Sequence, residues 1–201
     1  MHGEEEFQYF INFKIPECQP ADYYKSLVLT DPIPDALKVN KVTVYDADNQ
    51  NDVSSKFHIQ ITQGTVDHVR VSAVDTSSSW LYGRSFEVRI QVQKRKEYIF
   101  GTSNIISNKA ALCVDQKTTK ETQPVTTSFY YQITTKVENG TITQSNMKVP
   151  AGSSVKINYS PFKGYDLRTI NVDQLEVSKN EHLSEYLFSK VNSDHSIEVI
   201  Y

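Results

Sequence analysis

Long apolar runs are missing from these 201 residues, and nothing approaches the roughly 20 consecutive apolar positions that a membrane-spanning helix needs. The opening Met1-His2-Gly3-Glu4-Glu5-Glu6 has neither the basic nor the apolar part of a signal peptide. The chain therefore reads as soluble, with any export signal or wall anchor expected outside these residues. Cysteine is scarce too. Cys18 and Cys113 are too few for a disulfide scaffold and lack metal-ligand spacing, and the sequence leaves open whether they meet. Basic clusters are also absent: the net charge is -3, and Lys94-Arg95-Lys96 is cut short by Glu97. Neither nucleic acid nor direct membrane insertion is expected without such a footprint. With 7 Gly and 7 Pro the composition is neither collagenous nor disordered, and no cofactor or metal is expected.

What is abundant favours strands: twelve Tyr, nine Phe and many Val, Ile and Thr. Phe7, Tyr9, Ile11, Phe13 and Ile15 alternate with mostly polar neighbours, which predicts a half-buried strand. Phe86-Glu87-Val88-Arg89-Ile90-Gln91-Val92-Gln93 alternates without fault. Further strands are expected over Leu27–Asp31, Lys41–Tyr45, Lys56–Thr62, Val66–Val74 and Ile105–Val114. Past Asp115 the chain turns to Gln, Lys and Thr, which marks a domain boundary. Domains are expected over 1–118 and 128–201, with 119–127 as linker. In the second domain Asn139-Gly140 predicts a tight hairpin, and Glu181–Tyr186 is the one short helix expected.

Most polar clusters have a bland reading. The acids between Asp46 and Asp52 lack the ligand spacing and glycine of a calcium loop and read as a solvated turn. His58 and His68 have no second ligand at a useful spacing. Ser77, Ser78 and Ser79 lack a nucleophile-elbow context, and no Ser/His/Asp order supports a hydrolase. Trp80 and Tyr82 form a conceivable sugar-stacking platform, but a lone Trp beside a glycine turn more often closes the edge of a core.

Asp31 does not fit that pattern. It shares parity with Leu27 and Leu29, so if those leucines face the core the carboxylate does too, where Pro32 and Pro34 end the strand. Asn108 likewise shares a face with Ile106, Ala110, Leu112 and Val114. A carboxylate and a carboxamide set among apolar neighbours each need a partner.

Tyr9–Pro16, Tyr24–Pro34 with its strand-Asp-x-x-Pro turn, Leu81–Phe86, and Ile106–Ala110 with its Asn-x-Ala strand together resemble the isopeptide-forming domain of Gram-positive fimbrial, pilin-type surface proteins. The resemblance covers about residues 4–118. Val137–Ile142, Gly164-Tyr165, Asn171–Asp173 and Asp194–Ile197 resemble the small internalin-B-type surface repeat. The implied fold is all-β: an immunoglobulin-like β-sandwich followed by a smaller, β-grasp-like module. The resemblance also implies an intramolecular lysine–asparagine bond assisted by an acid, with Asn108 as acceptor and Asp31 as acid. In that family the lysine precedes the turn into the Phe7 strand, which places it ahead of residue 1 here. Lys14 has solvent-facing parity, and Lys25 lies about 20 Å from Asp31 along an extended strand. Neither serves as donor, so the chain is expected to carry no internal isopeptide bond.

The expected function is a non-enzymatic structural or adhesive segment of a bacterial cell-surface protein. Its expected partners are neighbouring domains of the same protein. The alternative is a carbohydrate- or host-matrix-binding module that uses Trp80 and Tyr82, with a host glycan or matrix protein as partner.

Overall fold

The computed structural model describes residues 1, 5–178 and 184–201. The chain divides into two compact units, one of Glu4–Tyr98 with Ile106–Thr126, the other of Met1–Gly3, Ile99–Ile105 and Thr127–Tyr201. Each unit is all-β.

In the first unit the strands are β1 (Glu6–Lys14), β2 (Leu27–Pro32), β3 (Leu37–Asp46), β4 (Phe57–Thr62), β5 (His68–Ala73), β6 (Ser85–Lys94), β7 (Ile105–Asn108, from its second residue on), β8 (Ala111–Val114), β9 (Thr118–Glu121) and the first half of β10 (Val125–Ser128). One sheet has the order β1-β6-β3 and the other β4-β5-β2-β8-β9, while β7 pairs with β10. The faultless alternation of β6 has its cause here: Phe86, Val88, Ile90 and Val92 are wholly buried between antiparallel neighbours β1 and β3. Burying such a side chain contributes about 1.5–3 kcal/mol, so the four together contribute roughly 6–12 kcal/mol. Phe86 of one sheet meets Phe57 of the other edge to face at 5.3 Å, and the two sheets form an immunoglobulin-like β-sandwich.

Two expectations about this unit need correction. The run Ile105–Val114 is not one strand. It breaks at Lys109-Ala110, where the Ala110 amide is held by Thr122 Oγ1 and its carbonyl accepts from the Thr122 amide, and β8 goes on to pair with β2 and β9. Residues 119–127 are not a free linker either. β9 adds to β8 through a turn with Asp115 and Gln116 at positive φ, because a Thr-rich run makes a good exposed edge strand even without large apolar residues.

The second unit contains β11 (Tyr130–Glu138), β12 (Gly140–Ile142), β13 (Met147–Pro150), β14 (Val155–Pro161), β15 (Thr169–Val172), β16 (Leu175–Glu176), β17 (Glu185–Phe188) and β18 (His195–Ile200). Its larger sheet runs β13-β11-β18-β15-β16, and β11 and β18 are parallel at the centre, a β-grasp-like arrangement. The smaller sheet is β12-β14-β17. Phe100 and Phe129 are buried with ring centroids 5.1 Å apart, so Ile99–Ile105 belongs to this core and not to the first domain expected from the sequence.

Asn139-Gly140 is not a hairpin. Asn139 alone is left-handed, at φ 57°, and β12 pairs with β14 rather than returning along β11. Gly140 is there for close approach, since a Cβ at that position would lie 2.5 Å from the Tyr201 ring and 2.5 Å from the Ser160 carbonyl. Of the expected helix, Glu181–Leu183 lies outside the described residues, and Glu185 and Tyr186 are in strand β17.

Candidate functional site

Asp31 faces the core, as its parity with Leu27 and Leu29 predicts. Leu27 and Leu29 are buried on β2, and Asp31 follows them inward with no exposed surface. Its neighbours across β5 are set by the pairs Leu29 with Val71 and Asp31 with Val69, two buried valines. Asn108 ends β7 with 6% exposure, between Ile106 and Ala110, both buried. Asn108 Nδ2 donates to Asp31 Oδ2 at 2.9 Å. The other oxygens, Asp31 Oδ1 and Asn108 Oδ1, are buried and accept no hydrogen bond from the protein.

Electrostatics follow from that burial. Desolvation pushes the Asp31 carboxyl up to about 6, only partly opposed by the hydrogen bond from Asn108. An acid with this value sits close to the range where it both gives and takes a proton. Leu29, two residues before Asp31, and Ala110, two residues after Asn108, line a groove of about 410 Å³ with Ile11, Phe13 and Leu112 on its apolar side and Lys14, Lys120 and Glu121 on its polar side.

The lysines considered from the sequence do not complete the site. Lys14 and Lys25 are both exposed, and neither amine reaches the unsatisfied oxygens. Lys94, which the sequence places in a solvated basic loop, is instead 7% exposed at the end of β6, and its Nζ donates to the Arg95 carbonyl.

Trp80 and Tyr82 are both engaged by neighbouring side chains. Tyr82 is 9% exposed, stacks on Tyr23 at 3.9 Å, accepts the Tyr24 amide and donates to the Thr76 carbonyl. Its hydroxyl and the ring face toward Tyr23 are both occupied by the protein. Trp80 is half-buried against Phe86 at 5.6 Å, with the Arg84 guanidinium 5.0 Å and the Lys56 amine 5.7 Å from its ring. That is core-edge packing.

Two further polar centres are present. Asp67, fully buried, accepts from the amides of Val39 at 2.8 Å and Gly64 at 3.1 Å and from Arg95 Nη2 at 2.6 Å. Burial pushes this acid up, but the two amides and the guanidinium outweigh it and hold its carboxyl below the ordinary value. Asp67 is not among the residues singled out above, yet parity marks it as it marks Asp31: Asp67, Val69 and Val71 share a face. Asp46 is taken up in the same way by Arg84 Nη1 at 2.8 Å, which accounts for one acid of the Asp46–Asp52 cluster.

In the second unit His195 Nδ1 lies 2.7 Å from Asp173 Oδ2, and Ser193 Oγ lies 3.4 Å from His195 Nε2. This order of groups was not seen in the sequence. Ser193 is exposed, and the other Asp173 oxygen accepts the Ser196 amide, so the trio fastens the Asp173-Gln174 turn to β18. A catalytic triad gains its power in a water-excluded site with preorganised donors, and an exposed loop serine has no such surroundings.

No family model matches the chain, and no curated protein matches it. Solved structures do. Domains D2 and D3 of the major pilin SpaD from Corynebacterium diphtheriae align over 94% of this chain and 69% of that one, with TM-score 0.56 and 12% identity. The fold is of the pilin type. BcpA, the major pilin subunit of Bacillus cereus, aligns over the whole chain and 66% of its own length, with TM-score 0.52 and 16% identity. The C. diphtheriae major pilin SpaA, whose structure points to a modular pilus assembly stabilizing isopeptide bonds, aligns over 98% of this chain and 48% of its own length, with TM-score 0.53 and 15% identity. The chain thus spans about half to two thirds of these pilins, and at such identities the likeness is one of pilin-type fold.

Proposed function

We propose that this chain is a non-enzymatic structural or adhesive segment of a Gram-positive cell-surface protein, acting outside the cell beside neighbouring domains of the same protein. The second unit is read as a small surface-repeat module. The observation that carries this reading is the buried Asp31–Asn108 pair inside a pilin-type sandwich. A carboxylate stripped of water beside a carboxamide has little to recommend it for stability alone, and each group keeps one oxygen without a partner.

The pair has the chemistry of an acceptor site for an amine. A neutral lysine amine attacks the Asn108 carboxamide carbon, a C–N bond forms, the carboxamide C–N bond breaks, and ammonia leaves with the proton that the amine gave up. Asp31, with its carboxyl raised to about 6 and within hydrogen-bond distance of the carboxamide nitrogen, takes up the proton that the amine gives up and passes it to that departing nitrogen. Asn108 is the acceptor and Asp31 the acid. The donor is not supplied by Lys14 or Lys25, so this chain carries the acid and acceptor without the bond.

Intact-mass measurement tests the last point: the mass of the unmodified sequence is expected, and loss of one ammonia would overturn it. Protease shaving of intact source cells tests the location. Peptides of this chain should be released before lysis. Their release only after lysis would sink the surface assignment while leaving the site chemistry standing.

A further inference from the structure

A strand at the edge of a sheet exposes a row of unpaired amides and carbonyls, and natural proteins normally guard such rows with charges, bulges, proline, shortness or a covering segment. Two of the four edges of the first sandwich follow that rule. β3 carries Lys38 and Lys41 around an irregularity between Val39 and Lys41, and its later half is covered by the Tyr45–Asp52 bridge and by the Val53 amide on the Val44 carbonyl. β9 has four residues and carries Lys120 and Glu121. β4, with six residues and no charge, lacks such guards, but it is short beside β1. β1 is the longest unguarded edge. All nine of its residues pair with β6 without a shift, and its sequence, Glu6-Phe7-Gln8-Tyr9-Phe10-Ile11-Asn12-Phe13-Lys14, has no proline, no glycine and no charge except at its two ends.

The free side of β1 can be assigned residue by residue. The Ile15 amide donates to the Arg84 carbonyl, so the main chain at odd positions faces β6. Hydrogen-bonding direction alternates along an antiparallel strand, which turns the N–H and C=O groups of Glu6, Gln8, Phe10, Asn12 and Lys14 to the open side. The side chains of these same residues are exposed, Phe10 to 55%. Along the later half of the strand the groove lined by Ile11, Asn12, Phe13 and Lys14 leaves room for a neighbour.

We propose that β1 is a homotypic docking edge: two copies of this chain pair antiparallel along β1 about a two-fold axis at Phe10. Such an interface must be self-complementary, and this strand is. In that register Glu6 meets Lys14 of the second copy, Phe7 meets Phe13, Gln8 meets Asn12, Tyr9 meets Ile11, and Phe10 meets Phe10. Three independent requirements agree in it. The charges at the two ends pair with opposite sign. Every residue whose main chain faces the open side meets another of the same kind. The inward aromatic and aliphatic face continues from one copy to the other, where a slip of one residue would break it. Parallel pairing in register would instead set Glu6 on Glu6 and Lys14 on Lys14. The contact is one strand wide, so the association is weak and concentration-dependent.

Sedimentation equilibrium of the full chain from about 10 μM to about 1 mM tests the pairing, since these concentrations bracket weak dimers. The weight-average mass should rise toward that of a dimer. Glu6→Lys alone, or Lys14→Glu alone, places like charges at both ends and should weaken association about tenfold. Glu6 also accepts from the amides of Asn40 and Gln91, so Glu6→Lys can alter the monomer as well. An equimolar mixture controls for this, because the two singly substituted chains complement each other and should recover wild-type association, as should the double variant Glu6→Lys/Lys14→Glu. Phe10→Pro removes an outward-facing amide and should abolish association while the circular dichroism spectrum stays that of the wild type. A wild-type chain that stays monomeric throughout overturns the proposal, and so do single charge variants that associate undiminished or a mixture that associates no better than its components.

Discussion

Asn108 donates through Nδ2 to Asp31 Oδ2 across 77 positions of sequence, and neither residue is more than 6% exposed. The hydrogen bond joins the end of β7 to the end of β2, two strands that do not pair with each other. One bond from a neutral amide only partly offsets the desolvation of a carboxylate, which is why the Asp31 carboxyl stays raised. The pair therefore costs stability near neutral pH, and the cost can be measured.

Asp31→Asn keeps an acceptor for Asn108 and removes the titration. An acid whose folded value, about 6, lies above its ordinary value of 3.8 holds its proton more tightly in the folded state. Its contribution to stability is full below about pH 4 and is lost as the pH rises to about 6. The variant is expected to match the wild type at pH 4 and to exceed it at pH 7 by on the order of 2–3 kcal/mol, as a rise from 3.8 to about 6 implies. Denaturant unfolding across that range checks it. Identical pH slopes for the two proteins would refute the buried-acid account of Asp31.

Asp67 has the opposite sign. Its folded carboxyl lies below the ordinary value, so it contributes stability above that value and loses it as the pH falls through the lowered one. Asp67→Ala frees the amides of Val39 and Gly64 and leaves the Arg95 guanidinium, 18% exposed, without its carboxylate. A loss of about 3 kcal/mol is expected, as for other broken buried pairs. Adding Arg95→Met should recover part of it, since removing both partners spares the unpaired charge. Failure of the double variant to recover any stability would show that the two amides, not the ion pair, dominate.

The difference between what was legible and what was not follows from the range over which each signal acts. Alternation is local: it fixes which face a residue takes, and it placed Phe86–Gln93, Asp31 and Asn108 correctly before any partner was known. It cannot say which strand lies alongside. The run Ile105–Val114 has one unbroken parity, yet β7 and β8 pair with different strands because of Thr122. Asn139-Gly140 has the composition of a hairpin, but the glycine answers to Tyr201, 61 positions away, and no local rule reads that. Tyr82 looked available beside a glycine turn, and its stacking on Tyr23 depends on a loop brought in from elsewhere in the chain.

Trp80→Ala separates packing from recognition. The indole covers Phe86 and carries Arg84 and Lys56 over its faces, so its loss should lower stability by about 2–3 kcal/mol, less than full burial would give. Trp80→Phe should restore roughly half of that. On a glycan array, wild type and both variants are expected to give the same profile. A glycan signal that vanishes in a still-folded Trp80→Phe protein would return this surface to carbohydrate binding.

Gly152 offers the sharpest steric test in the second unit. It sits at φ 77°, in the left-handed region, and a Cβ there would lie 1.9 Å from the Gly101 carbonyl oxygen and 3.0 Å from the Phe100 carbonyl oxygen. The first contact is with backbone, so no rotamer change relieves it. Its amide donates to the Val191 carbonyl, while the Asn192 side chain holds Phe100 in the same corner by accepting its amide at 2.7 Å and donating to its carbonyl. Gly152→Ala must therefore push the 100–101 segment off that corner and loosen the buried Phe100–Phe129 contact. A destabilisation of about 3 kcal/mol is expected, the upper end for overpacking, because conformational strain adds to the clash. Hydrogen exchange should show faster exchange at Phe100 and Gly152, with protection in β1 and β6 unchanged. Uniformly faster exchange across both units would show instead that the two unfold as one.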